Sequence, residues 1–116
     1  MENDLDKRIR KEELRLLKVY ADIDPNRKKI ILGLIRRAAF MRISLDDLEK
    51  DLCANGLTEE FSQGDQTPYL RERPAARIYS GMNSGYQKII KQLTDLLPKE
   101  EAKPKGGDEF ESFGSD

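Results

Sequence analysis

Twelve of the 21 lysine and arginine residues fall within positions 7–42, where only four acids stand against them. Cations at this density neutralise phosphates, giving an affinity that ignores base sequence and weakens with salt. The candidate contacts are Arg8, Lys11, Arg15 and Lys18 in one run, then Arg27, Lys28, Lys29, Arg36 and Arg37 in a second. The overall net charge of −1 conceals this block, because residues 1–6, 43–97 and 98–116 each carry a net of −3. Such asymmetry favours a polyanionic partner. A solvated amphipathic surface would look the same by charge alone.

Other chemistry is sparsely provided for. The chain has no histidine and a single cysteine, Cys53, so one copy offers no disulfide, no zinc set with the usual spacing and no imidazole base. Neither a phosphate-binding glycine loop nor a nucleophile elbow is present. Asp46, Asp47, Glu49 and Asp51 form the densest carboxylate group, but helical spacing scatters them around an axis, which suits a solvated face better than a metal site. The expectation is a non-enzymatic protein with no cofactor and no metal. No apolar run approaches the ~18 residues of a membrane span, and no secretory signal is evident; one cysteine fits reducing, intracellular conditions.

The elements that must carry these residues read as helices, in one domain over residues 1–98 followed by a tail. Asn3 or Asp4 can cap a first helix whose apolar positions Leu5, Ile9, Leu16, Leu17 and Tyr20 keep helical spacing. Asp24-Pro25 marks a second start, because aspartate accepts the orphan amide bonds and proline fits the first turn. Ile30, Ile31, Leu34, Ile35, Ala38 and Met41 then form one apolar face, completing the basic helices of residues 3–42. Ser44-Leu45-Asp46-Asp47 resembles a capping box and predicts a separate acidic helix over residues 45–55. Ala38, Ile43 and Leu48 partly fit a helix-turn-helix, yet Arg42 stands where its turn favours glycine, and the reading helix would bring carboxylates to a polyanion.

Residues 57–73 predict a long loop, with Arg71, Arg73, Arg77 and nearby Tyr69 as possible phosphate or subunit contacts. Residues 74–97 predict a long helix, bracketed by Pro74 and Pro98. Its Ala75, Tyr79, Met82, Tyr86, Ile89, Leu93 and Leu96 recur at alternating steps of four and three, a heptad seam for the core or another subunit. The seam residues from Tyr79 onward are the candidate oligomer interface. Gly81 and Gly85 interrupt it, marking either a close helix approach or a bend. Residues 99–116 predict a disordered acidic tail, in which Phe110 and Phe113 are the candidate partner-binding pair. The fold class is therefore all-α: a helical hairpin of short N-terminal helices, one long C-terminal helix and the tail.

Four stretches carry a family resemblance: Ile35-Arg-Arg-Ala-Ala-Phe-Met, Leu45-Asp-Asp-Leu-Glu-Lys, Asn55-Gly-Leu-Thr-Glu-Glu-Phe, and Arg73-Pro through Lys91-Gln-Leu-Thr-Asp-Leu-Leu-Pro-Lys. In this order they resemble the small subunit of tailed-phage terminases, in the short form found in phages of Gram-positive bacteria. The resemblance implies a non-catalytic, often ring-forming oligomer in the host cell cytoplasm. Such a protein binds double-stranded viral DNA and delivers it to the large terminase subunit, which owns the ATPase and nuclease. The acidity of residues 45–55 departs from a helix-turn-helix reader, so the resemblance assigns no base-contacting residue. Outside the family, the same features suit a protein–protein interaction scaffold or, less well, a small transcription regulator.

Overall fold

The computed structural model describes residues 3–98. Three helices and one β-hairpin follow in the order α1 (Asp4–Val19), a 3-10 turn (Pro25–Arg27), α2 (Lys28–Asn55), β1 (Thr58–Phe61), β2 (Tyr69–Glu72) and α3 (Pro74–Asp95). The protein is mostly helical, as expected, but the hairpin makes it not all-α. The tail of residues 99–116 lies outside the described residues, and Phe110 and Phe113 with it.

Local signals account for the ends of α1. The Asn3 side chain accepts from the amide of Asp6 at 2.7 Å, Asp4 and Asp6 occupy the first turn and Lys18 the last, which suits the helix dipole. Asp24 then accepts from the amide of Asn26 at 3.0 Å and starts the 3-10 turn that leads into α2.

The break expected near residues 42–45 does not occur: α2 runs unbroken for 28 residues. Ser44 and its neighbours are therefore interior helix, and the helix-turn-helix has no turn. No glycine or proline lies between Leu34 and Asn55 to force the backbone out, and Ile43 and Leu45 are both buried. Arg42 and Asp46, at 3.4 Å, form an i,i+4 ion pair across the expected break. A capping-box pattern is a side-chain offer to the backbone, and here continuous apolar burial on both sides outweighs it.

The expected long loop contains the hairpin. Glu59 pairs with Arg71 and Phe61 with Tyr69 in antiparallel register. The Arg71 guanidinium sits 3.6 Å from the centre of the Phe61 ring and 2.7 Å from Glu59, while Phe61 and Tyr69 meet edge to face at 5.9 Å. Gly64, at φ 61°, supplies the left-handed residue in the turn. The base of the hairpin is clamped by Arg73, which donates to both Asp51 oxygens at 3.0 and 3.1 Å and to the Gly56 carbonyl at 2.8 Å.

Both outer helices run antiparallel to α2. Arg8 and Glu13 of α1 approach Asp47 and Arg36; Tyr79 and Gly85 of α3 approach Glu49 and Met41. The core lies between them: Leu16, Tyr20, Ile23, Ile31, Ile35, Ala38, Ala39 and Leu93. The helix α3 continues through both glycines. A methyl group at Gly85 would meet the Met41 side chain at 3.5 Å, so this is where α3 lies close to α2, whereas one at Gly81 would meet nothing within 4 Å. Gly81→Ala should therefore stabilise the fold by about 0.5–1 kcal/mol through helix propensity alone. A urea midpoint that rises with an unchanged slope is the expected result.

Candidate nucleic-acid interface

Arg8, Lys11, Arg15 and Lys18 stand at steps of three and four along α1, so one helical stripe presents all of them. They line a single open groove of about 540 Å3 with Glu12, Leu14, Ile43 and Asp46. Two of the four bases are spoken for. The Arg8 guanidinium donates to both Asp47 oxygens at 2.8 and 3.1 Å, and Arg15 to both Glu12 oxygens at 2.9 and 2.6 Å. Lys11 and Lys18 are exposed and make no ion pair among the described residues. Of the four, they are the two left open to an incoming anion.

The second run of bases divides. Arg36 lines another open groove, about 470 Å3, with Arg10, Glu13, Leu14 and Leu17 on the opposite flank of α1, and lies 4.0 Å from Glu13. Leu14 belongs to both grooves and is 56% exposed, so it marks the crest of α1 with bases on either side. Arg27, Lys28, Lys29 and Arg37 are exposed on the 3-10 turn and the N-terminal half of α2, without ion pairs among the described residues. Lys28 borders an apolar hollow of about 370 Å3 formed by Leu17, Tyr20, Ile23, Ile31 and Ile35 among others. Arg10, one of the twelve bases of residues 7–42, lines the groove of about 470 Å3 beside Arg36.

The acidic half of α2 turns out to be connective. Asp46 pairs with Arg42, Asp47 with Arg8, Glu49 accepts from the Tyr79 hydroxyl at 2.8 Å, and Asp51 accepts from Arg73 and from Asn55. Each carboxylate is turned to its own partner, and no group of metal-ligating side chains forms among the described residues. The partners leave their mark on titration. Hydrogen bonds from Arg8 hold Asp47 below the usual carboxylate range, and those from Asn55 and Arg73 do the same for Asp51. Glu49 raises the Tyr79 hydroxyl, whose anion would face a carboxylate.

Of the arginines of the expected loop, Arg71 and Arg73 are engaged in the hairpin, while Arg77 is exposed and lies 3.4 Å from Glu72. The heptad seam faces α2 of its own chain. Leu93 is fully buried, Tyr86, Ile89 and Leu96 pack against the core, and Tyr79 and Met82 are half-buried. The most exposed large apolar side chains lie elsewhere, with Leu70 at 72%, Ile30 at 67% and Leu57 at 63%. No described helix is long and apolar enough to cross a membrane.

No protein-family model, curated protein or solved structure matches this chain.

The Arg8–Asp47 pair gives a pH test. A carboxyl depressed in the fold contributes stability above its unfolded value, and that contribution is lost as pH falls through the lower, folded value. Arg8→Ala should raise the Asp47 pKa back toward about 3.9 and flatten the acid limb of stability between about pH 4 and the folded value. Carboxyl-carbon NMR titration checks the first, and denaturant midpoints against pH check the second.

Proposed function

We propose that this chain is a non-catalytic DNA-recognition subunit of the tailed-phage terminase kind, which binds double-stranded DNA, self-associates and delivers the DNA to a large motor subunit. The observation that carries the DNA reading is the groove along α1, where Arg8, Lys11, Arg15 and Lys18 converge and two lysines stand unpaired among the described residues. Arg10 and Arg36 on the other flank extend the basic surface around the Leu14 crest. The contacts are to phosphates, since a helical ridge of lysine and arginine without a reading element positions a duplex rather than reading its bases. With α2 continuous, a helix-turn-helix regulator has little support.

The seam is engaged within the chain, so self-association is assigned to the hairpin. Leu57, Tyr69 and Leu70 are exposed there, and β1 and β2 form a two-stranded sheet whose outer edges are unpaired among the described residues. A lone hairpin is marginal in water, and exposed apolar groups on it are satisfied by a neighbouring copy. The same hairpin supports the second reading, a scaffold that binds proteins without nucleic acid. The order of Pro74 at the start of α3 and Leu96-Leu97-Pro98 after its end supports the family reading through the resemblance above.

Titration with a DNA duplex at several salt concentrations tests this reading. Binding should weaken steeply with salt, and replacing Lys11 and Lys18 by alanine should reduce the log–log slope by about 1.8, roughly 0.9 for each phosphate no longer neutralised. Light scattering on the same samples should give a mass above the 13.4 kDa of one chain. Absence of binding at low salt, with an oligomer still present, would move the protein to the scaffold reading.

A further inference from the structure

We propose that the acidic tip of the tail, residues 108–116, docks in the basic groove along α1 of its own chain. Charge is the first argument. The tip holds Asp108, Glu109, Glu111 and Asp116 and no base, and the groove presents Arg8, Lys11, Arg15 and Lys18 against Glu12 and Asp46. Lys11 and Lys18 make no ion pair among the described residues, so they are open to the tip's carboxylates.

Apolar chemistry is the second. Leu14 and Ile43 line the same groove, giving two aliphatic surfaces between cations. Phe110 stands between Glu109 and Glu111, and Phe113 two residues beyond Glu111, so rings and carboxylates can be met by one surface. The stems of the lysines and arginines add further apolar cover for the rings.

Reach is the third. The Tyr20 hydroxyl lies 3.1 Å from the Thr94 hydroxyl, and Leu96 and Leu97 pack against the core, so the described chain ends at Pro98 near the Lys18 end of α1. Eleven residues lie between Pro98 and Phe110. The twelve Cα–Cα steps from Pro98 to Phe110 reach at most ~40 Å when fully extended. From Lys18 back to Arg8 the groove follows α1 for only ~15 Å. The tether therefore spans the site without strain, and at an effective concentration of ~1 mM a contact with Kd of ~0.3 mM fills the groove about three quarters of the time.

Docking would regulate the surface assigned to DNA above, and that consequence rests on the DNA reading: tip and phosphates would compete for Lys11 and Lys18, and a protein that captured the tip would release the groove. The docking itself is testable without DNA, which keeps the two claims separable. Amide NMR spectra of the full chain at low salt are compared with those of Phe110→Ala/Phe113→Ala and of Asp108→Asn/Glu109→Gln/Glu111→Gln. Both variants should shift the amides of Lys11, Leu14, Arg15, Lys18 and Ile43, and about 0.5 M salt should move the wild-type signals toward those of the variants, because screening at that strength shortens the reach of charge to a few ångströms. Identical groove signals in all three proteins would overturn the proposal. Shifts that grow with protein concentration would overturn its within-chain form, since they place the tip on another copy. The charge variant should bind a DNA duplex about three- to fourfold more tightly than wild type; if groove shifts are seen but no form binds DNA, the DNA reading fails and the docking stands.

Discussion

The fold depends on α2 remaining a single helix. The outer helices touch each other through Tyr20 and Thr94, but each packs along α2, which buries Ile31, Ile35, Ala38, Ala39, Ile43 and Leu45 to receive them. Ala38 and Ala39 are fully buried at mid-length, so backbones approach closely where the three helices share the core. A bend near Ser44 would swing the acidic half away from both neighbours. It would also separate Ile43, on the groove beside α1, from the core residues before it.

The carboxylates of that acidic half divide the remaining work. Asp47 reaches α1, Glu49 reaches α3, and Asp51 holds Arg73 at the base of the hairpin. The two ion pairs and the Tyr79–Glu49 hydrogen bond are exposed to water and screened by it, so apolar burial supplies most of the stability while the carboxylates orient the outer elements. One consequence concerns charge. The acids of α2 neutralise Arg8, Arg42 and Arg73, and most of the bases left unpaired among the described residues, including Lys11, Lys18, Lys28, Lys29 and Arg37, lie toward α1 and the start of α2, with Lys50 and Lys88 outside that region.

Much of this was legible in the sequence because the signals were local. The Asn3 cap, the apolar face through Ile31, Ile35 and Ala38, and Pro74 at the start of α3 each act on their own helix and appear as read, while Asp24-Pro25 starts a 3-10 turn rather than α2 itself, which begins three residues later at Lys28. Ser44-Leu45-Asp46-Asp47 misled because the residues that cap a helix can also sit inside one when partners such as Arg42 and Arg8 engage the carboxylates. The hairpin escaped because its strands are rich in glutamate, a poor strand former, and depend on a cross-strand cluster of Phe61, Arg71 and Tyr69 that only pairing creates. Periodicity in α3 marked the stripe that is covered but not its partner, which is α2 of the same chain. The stripe of bases on α1 could be read from spacing, while its division between paired arginines and unpaired lysines required Asp47 and Glu12 in place.

The central claim is that the α1 groove holds the duplex, and lysine reactivity probes it directly. Acetylation of the full chain carrying Asp108→Asn/Glu109→Gln/Glu111→Gln, which leaves the groove open, with and without a DNA duplex at low salt, read lysine by lysine by mass spectrometry, should show protection of Lys11 and Lys18 while Lys50, Lys88 and Lys91 react as before. Equal reactivity at Lys11 and Lys18 under conditions where DNA is bound would contradict the account.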